Sequence, residues 1–141
     1  MTGKPKVFLD TNILISGMVF AGNERKLLEA AIDRKFVPML SSDVIDEAKE
    51  ALRRKFPKQA VLFPLFLRTV KHEKISRRAY RRSVRRYAEL IGDRTDAPIL
   101  AAAVVSKADY LVTGDKRLLA LKKVGGTEII QTRELLKKFR M

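Results

Sequence analysis

Short apolar runs that are typical of buried strands alternate along the chain with longer segments of helical pattern. The strand candidates share an apolar character and lie at residues 6–9, 36–40, 110–113 and 128–130. Successive parallel strands need a crossover, usually a helix, and strands that alternate with helices form a sheet covered on both faces. The sequence therefore predicts a three-layer α/β/α sandwich around a central parallel sheet of four or five strands. Pro38 cannot donate to a strand ladder, which places the second candidate at an edge or a bulge.

The length of the chain, 141 residues, predicts one domain over residues 1–141. Hydrophobic residues make up 46% of it, enough to bury a core. The first apolar stretch contains Asp10 and Asn12, which are unusual in a signal peptide. No stretch has the roughly 20 apolar residues that a membrane span requires. We expect no association with a membrane.

Thirty Lys and Arg residues outnumber sixteen Asp and Glu residues, so the formal net charge is +14 at pH 7. Clustered cations gain free energy by releasing counterions from phosphates, and such an excess predicts a polyanionic partner. The alternative is a basic surface that serves only solubility.

Cysteine is absent, and His72 is the only histidine. These counts exclude disulfides and thiolate metal sites, and they disfavour a His-rich metal site or a Ser-His-Asp triad. A Gly-rich phosphate loop is also missing, so an NTPase is not expected. Any catalysis would then depend on carboxylates. The absence of cysteine fits a reducing cytoplasm, where we expect the protein to act.

Three acidic residues follow strand candidates or begin the helix between two of them. Asp10 directly follows the first strand, and Asp115 follows the third by two residues. Ligands of open parallel sheets bind beyond the carboxyl ends of the strands, so both side chains should project over the same edge. Asp96 begins the helix that leads into the third strand, and we expect its carboxylate near that edge as well.

Glu47 is singled out by its position on a predicted helix that runs from Ser41 or Ser42 to about Lys55. With ~100° per residue, Glu47 lies within ~40° of Ala51, at the margin of the apolar face. A carboxylate next to a core face is costly unless another group satisfies it. Glu47 is therefore the acidic residue of this helix that we assign to a site.

Each of the four acids also has a purely structural explanation. Asp10 can accept hydrogen bonds within its own turn, Asp96 can complement a helix dipole, and Asp115 can cap a helix. Glu47 can be a surface charge. Converging carboxylates repel one another, however, and need a cation, for which oxygen ligands favour Mg²⁺ or Mn²⁺. Such ions activate water and stabilise a phosphodiester transition state; whether one or two bind is left open.

Six arginines recur in pairs along a predicted helix over residues 76–91 and share a strongly basic surface: Arg77, Arg78, Arg81, Arg82, Arg85 and Arg86. No acidic residue lies among them, so without counter-ions they would repel one another. We expect them to contact RNA phosphates. An acidic segment of a protein partner, or a solvated face with no partner, is the alternative.

Four segments, in order, resemble the conserved segments of PIN-domain proteins. They are residues 7–16 with Asp-Thr-Asn, residues 41–47 that end in Glu47, residues 93–103 and residues 108–115. Together they span nearly the whole chain. The last segment, with Val-Thr-Gly-Asp at its end, is the most specific. The chain departs from the pattern in its long Arg-rich middle helix.

The resemblance implies a Mg²⁺- or Mn²⁺-dependent endoribonuclease that forms homodimers, similar to VapC-like toxins that are held in check by a small antitoxin. It implies that Asp10, Glu47, Asp96 and Asp115 are the metal ligands and catalytic residues. It further implies supporting roles for three residues, namely Asn12, Thr113 and the additional acid Asp93.

Two other functions fit the same residues. One is a structure-specific or RNA-processing nuclease outside a toxin–antitoxin pair, and the other is a non-catalytic RNA-binding scaffold. The complete set of acids favours an enzyme, whereas a gene for a small antitoxin next to this one would favour a toxin.

Overall fold

A computed structural model of the protein describes residues 3–141, so Met1 and Thr2, the first two residues of the predicted domain, lie outside it. The sheet in this part of the chain has six strands: β1 (Lys6–Leu9), β2 (Val37–Ser41), β3 (Glu73–Ile75), β4 (Tyr110–Val112), β5 (Lys123–Val124) and β6 (Thr127–Ile130). Their order is β3-β2-β1-β4-β6-β5. Neighbouring strands are parallel except β5, which pairs antiparallel with β6 at one edge.

Helices flank the sheet and complete the predicted α/β/α sandwich. Within residues 3–141 they are α1 (Thr11–Val19), α2 (Asn23–Ile32), α3 (Ser42–Lys55), α4 (Pro57–Ala60), α5 (Phe63–Thr69), α6 (Arg77–Tyr80), α7 (Val84–Ile91), α8 (Ala97–Val105), α9 (Lys116–Leu121) and α10 (Thr132–Lys138). Helix α2 packs against α1 and α10, whereas α8 packs against α6 and α7. No helix in this part of the chain is long and apolar enough to cross a membrane.

The connections between strands reverse direction at β1. The first two crossovers step from β1 to β2 and from β2 to β3, and the third returns across the sheet to β4 on the other side of β1. Right-handed crossovers that step in opposite directions place their helices on opposite faces. The reversal leaves a crevice at the carboxyl ends of β1 and β4, which is where open α/β sheets bind ligands.

The central strands are buried, and their hydrophobic residues belong to one cluster. Val7, Phe8 and Leu9 of β1 have no exposed surface, and the same is true of Leu111 and Val112 of β4. Strands of a parallel sheet covered on both faces are expected to be continuous hydrophobic runs. The last apolar residues, Leu9 and Val112, are therefore held rigidly just before the polar residues that follow them.

The prediction that Pro38 marks an edge or a bulge is wrong, because β2 lies between β1 and β3. The amide of Val37 donates to the carbonyl oxygen of Pro5 on the β1 side (2.9 Å). Successive residues of a strand direct their nitrogens to opposite sides, so the nitrogen of Pro38 faces β3. Pairing with β3 begins only at Met39, and no ladder hydrogen bond is lost at Pro38.

The predicted basic helix over residues 76–91 is interrupted. Helices α6 and α7 are separated by a 3₁₀ turn, Arg81–Ser83. Arginines four residues apart repel one another and weaken a continuous helix at this point. Tyr80 of α6 and Tyr87 of α7 are nevertheless buried, so both helices pack against the core.

Candidate functional site

The register of β1 and β4 places Asp10 beside Thr113. Leu9 pairs with Val112, and the amide of Asp10 donates to the carbonyl oxygen of Val112 (3.1 Å). The hydroxyl of Thr113 donates to Oδ2 of Asp10, and the amide of Thr11 donates to Oδ1, both at 2.6 Å. Burial raises the pKa of Asp10, while these two hydrogen bonds lower it. Asp10 is thus a buried, fixed carboxylate.

Asp115 caps the amino terminus of α9. Its Oδ1 accepts hydrogen bonds from the amides of Arg117 (2.9 Å) and Leu118 (3.1 Å). Its own amide donates to the hydroxyl of Thr113 (3.0 Å). The Thr113 hydroxyl therefore links the backbone of Asp115 to the side chain of Asp10. Asp115 is therefore a helix N-cap, as the structural explanation predicted, and it also lines the same cleft as Asp10.

Asp96 lies at the amino terminus of α8, where its side chain makes no capping hydrogen bond. Burial, followed by the carboxylates of Asp115, Asp93 and Asp10 in that order, raises its pKa to about 6. The electrostatic coupling places Asp96 among the other acids. It also means that the cluster resists full ionisation when no cation is bound.

Asp93 shapes the loop before Asp96. Its Oδ1 accepts hydrogen bonds from the amide (2.8 Å) and hydroxyl (2.6 Å) of Thr95, and its Oδ2 forms an ion pair with Arg117. The Thr95 hydrogen bonds and then Arg117 hold the pKa of Asp93 below its usual value. Both oxygens are thus engaged in contacts that fix the loop, and the supporting role of Asp93 in the site stays a prediction.

Glu47 is exposed instead of lying against the core, so the argument from burial that singled it out is wrong. The helix turns it outward, where the hydroxyl of Thr11 donates to its Oε2 (3.0 Å). Thr11 is a site residue that the sequence argument missed, although it stands between Asp10 and Asn12. Its amide fixes Asp10 and its hydroxyl fixes Glu47.

One cleft of about 760 Å³ gathers the four predicted acids. Its lining is mostly polar: Asp10, Thr11, Asn12, Ile13, Ser16, Glu24, Glu47, Thr95, Asp96, Ile99, Gly114, Asp115 and Lys116. Asn12 is exposed there, and Thr113 lies buried beneath it. Glu24 and Lys116 were not predicted, because Glu24 lies outside the four resembling segments and Lys116, although it follows Asp115, is a cation among residues searched for acidic ligands.

The donor set fits a hard divalent cation, because it consists of carboxylate oxygens, and burial together with neighbouring negative charge raises the pKa of Asp96. As the side chains stand, no three acidic or histidine residues within residues 3–141 are close enough to hold an ion together. Carboxylates without a cation repel, and Asp10 and Glu47 are directed to hydroxyl donors instead. Metal binding by the four acids stays a prediction.

Arg77 is a counter-ion for acids on α3. Its guanidinium contacts Oδ1 of Asp43 (2.7 Å) and Oδ2 of Asp46 (3.3 Å). The buried hydroxyl of Tyr80 donates to Oδ2 of Asp43 (2.6 Å), and burial raises the pKa of this tyrosine. These contacts fasten the start of the basic segment to α3, so this arginine differs from the other five.

The later arginines are exposed and lie away from the cleft. Arg86 and Tyr87 line a surface depression together with Val124 and Gly125 of the β5–β6 hairpin. That hairpin turn precedes β6 and marks the amino edge of the sheet, opposite the carboxylates. The six arginines therefore do not form one stripe beside the acids.

A parallel sheet with an acidic cleft at its switch point places the protein among the doubly wound α/β proteins. A model of one family, the PIN domain, matches residues 6–117. The chain belongs to the PIN domain family, as its four segments indicated. No curated protein matches the sequence.

Several solved structures share the fold at low sequence identity. A protein from Pyrobaculum aerophilum is 19% identical with a TM-score of 0.70, and the match covers 96% of each chain. A toxin–antitoxin complex from Klebsiella pneumoniae is 20% identical with a TM-score of 0.66, over 89% of this chain and 97% of that one. VapC20 from Mycobacterium tuberculosis, a toxin that cleaves the sarcin–ricin loop, is 20% identical with a TM-score of 0.60, over 84% and 96%.

We predict that Asp96→Asn stabilises the metal-free protein in a pH-dependent manner. The pKa of Asp96 is about 6 in the folded protein against an ordinary value of 3.8, so its ionisation destabilises the fold as the pH rises through this interval. Removing the charge should leave stability unchanged below pH 4 and increase it by about 1 kcal/mol above pH 6, after allowance for screening of a partly exposed group.

Urea denaturation in EDTA across this pH range measures the effect. Glu29→Gln on α2 is the matched control, because it also replaces an exposed carboxylate with an amide but lies outside the cleft. An equal gain in the control would show that net charge, and not the carboxylate cluster, is responsible.

Proposed function

We propose that the protein is a Mg²⁺- or Mn²⁺-dependent endoribonuclease whose ligands and catalytic residues are Asp10, Glu47, Asp96 and Asp115. The observation that carries this proposal is the convergence of these acids in one cleft, where burial and the neighbouring carboxylates of Asp115 and Asp10 raise the pKa of Asp96. A cluster of this kind gains by binding one or two divalent cations. Perturbed carboxylates in a cleft are also a common mark of a functional site.

The residues around the cluster have distinct parts in this function. Thr113 and Thr11 keep Asp10 in one orientation, and the hydroxyl of Thr11 also holds Glu47. Asn12 lies at the rim, where its amide can orient a water or a phosphate oxygen. When bound, the ions supply an activated water and offset charge on the phosphodiester.

RNA is the proposed substrate because the chain carries a formal net charge of +14 although its cleft is acidic. Phosphates gain affinity from cations outside the cleft, while the divalent ions neutralise the acids within it. The exposed arginines, Arg78, Arg81, Arg82, Arg85 and Arg86, are proposed to contact outlying phosphates of a long RNA; Arg77 would contribute only where it releases Asp43.

We predict that RNA cleavage requires Mg²⁺ or Mn²⁺ and is abolished by EDTA. Asp96→Asn should lower the rate at least about a hundredfold, because metal-assisted stabilisation is worth several kcal/mol and each 1.36 kcal/mol is tenfold. Gel analysis of structured and single-stranded RNAs measures cleavage, with Glu29→Gln as the control. Tight RNA binding without cleavage under either metal would instead favour the scaffold function.

A second element of the proposal is that the nuclease is a toxin with a small protein antitoxin. The similar structures include VapBC2 from Rickettsia felis bound to promoter DNA and the Klebsiella pneumoniae toxin–antitoxin complex. Such a toxin would act on RNA in the cytoplasm, which fits the lack of cysteine. A processing nuclease has no need of an antitoxin.

We expect induced expression of the wild-type chain in a bacterial host to stop growth. Asp10→Asn should remove the effect, since it replaces the buried carboxylate of the cleft with an uncharged amide. Growth curves, with protein levels compared by immunoblot, make the measurement. Equal toxicity of both proteins at equal levels would separate growth arrest from catalysis and argue against a toxin nuclease.

We also propose that the protein forms a homodimer. Helix α5 and the turn that precedes it leave large apolar side chains exposed, namely Val61 (74%), Leu62 (50%) and Leu65 (53%). Apolar side chains that cluster on a surface indicate an interface. Light scattering should give twice the mass of the chain, and Leu65→Glu should reduce it to that of a monomer; a monomeric wild type would contradict the proposal.

A further inference from the structure

A cavity of about 310 Å³ lies at the amino edge of the sheet, which is the edge opposite the carboxylates. Basic residues that precede three parallel strands line it: Lys4 lies before β1, Arg34 before β2 and Lys71 before β3. Because the sheet order is β3-β2-β1, the amino ends of these strands are neighbours. Strand order thus gathers into one cavity cations from three separate parts of the sequence.

The positive charge of this cavity is largely uncompensated. Glu73 is the acidic residue of its lining, and the ammonium of Lys6 already contacts Oε1 of Glu73 at 3.6 Å. Within residues 3–141, no ion pair involves Lys4, Arg34 or Lys71. Like charges that face one space repel each other, so an anion in that space would stabilise all three.

His72 adds a hydrogen-bonding group whose ring is held in place. Its Nδ1 lies 2.9 Å from the carbonyl oxygen of Val70, and a carbonyl oxygen only accepts, so Nδ1 carries the hydrogen. Nε2 has no hydrogen-bond partner in the described part of the chain and can bind a ligand hydroxyl or, when protonated, an anion. The buried Phe36 and the half-buried Val37 complete the wall with apolar surface.

Arg34 has a backbone conformation that favours glycine. Its φ is 62°, and its amide donates to the carbonyl oxygen of Ala31 while that of Lys35 donates to Ala30, which is the Schellman ending of a helix. Lys107 ends α8 in the same way, with φ of 60°. A cation at this position complements the helix dipole, so the conformation alone does not indicate a ligand. The two residues differ in that Arg34 lines the cavity and Lys107 does not.

We propose that this cavity binds a small molecule that carries a pyrophosphate group, held by Lys4, Arg34 and Lys71. One phosphate group carries a charge of about −1.5 to −2, so two linked phosphates balance three permanent cations and an imidazole better than one does. An arginine also matches the geometry of phosphate oxygens. The volume is near the lower limit of roughly 300–1,000 Å³ for small-molecule sites, which suits a compact ligand. The inference does not rest on the nuclease function, because the carboxylates lie at the other edge of the sheet.

Isothermal titration calorimetry of the whole chain with inorganic pyrophosphate, ADP and sulfate tests the proposal. The buffer is freed of divalent ions by a chelating resin, so that no metal bridges these anions to the carboxylates. We expect pyrophosphate to bind at least about tenfold more tightly than sulfate, because it forms additional charge-assisted hydrogen bonds. Tighter binding of ADP than of pyrophosphate would show that the ligand is a nucleotide, and the reverse that it is free pyrophosphate. Sulfate that binds as tightly as both, or no saturable binding of either, would overturn the proposal.

Arg34→Gly separates ligand binding from stability. Glycine removes the guanidinium but suits the left-handed backbone, so the variant should bind pyrophosphate at least about tenfold more weakly without a fall in melting temperature. Lys107→Gly is the matched control, since it removes a cation from the same helix ending outside the cavity. Its affinity for pyrophosphate should stay close to that of the wild type, because salt screens exposed charges outside the site. Equal losses of affinity in the two variants would show that net charge, and not this cavity, attracts the anion.

A second pair of variants tests the side of the cavity next to β3. Lys71→Gln removes a lining cation, whereas Lys74→Gln removes one from β3 that does not line the cavity, and both lysines are exposed. The first change should weaken binding of pyrophosphate about tenfold, and the second should leave it unaltered. Wild-type affinity in Lys71→Gln would mean that pyrophosphate binds elsewhere and would refute the proposed site.

Discussion

The parallel pairing of β1 with β4 is the constraint on which the rest of the site depends. Because Leu9 pairs with Val112, the next residues of the two strands stand side by side, and the Thr113 hydroxyl meets Asp10. The same hydroxyl accepts from the amide of Asp115. One threonine, fixed by a ladder in the hydrophobic core, therefore positions an acid from each side of the switch point.

Holding several carboxylates together requires a different stabilising partner for each. Asp10 has two hydrogen-bond donors, Asp115 caps a helix and Glu47 accepts from Thr11, so these charges are partly compensated. Asp96 has no such donor, and its pKa is the one raised to about 6. The uncompensated charge of the cluster is thus concentrated at one residue, which makes Asp96 the most sensitive indicator of what occupies the cleft.

The sequence predicted those parts of the protein that follow from local pattern. The alternation of strand and helix patterns predicted the α/β/α sandwich. The positions of Asp10 and Asp115 shortly after apolar strands predicted the edge of the sheet on which the two residues meet. The sequence did not reveal β3 and β5, which are too short to show a pattern. It also did not reveal that an inner strand tolerates Pro38, because this depends on where the pairing with β3 starts. Helical geometry found Glu47 for the wrong reason, because its partner, Thr11, belongs to another element.

Net charge predicted a polyanionic partner but not where such a partner binds. The densest run of arginines is divided by the fold: Arg77 neutralises acids on α3, whereas Arg86 lies beside the hairpin at the amino edge. Lys116, the cation that lines the cleft with the carboxylates, is unremarkable in sequence and lies outside the arginine run. The surroundings of the cleft are built from elements that strand order brings together, so a local charge run is a poor guide to which cations meet the carboxylates.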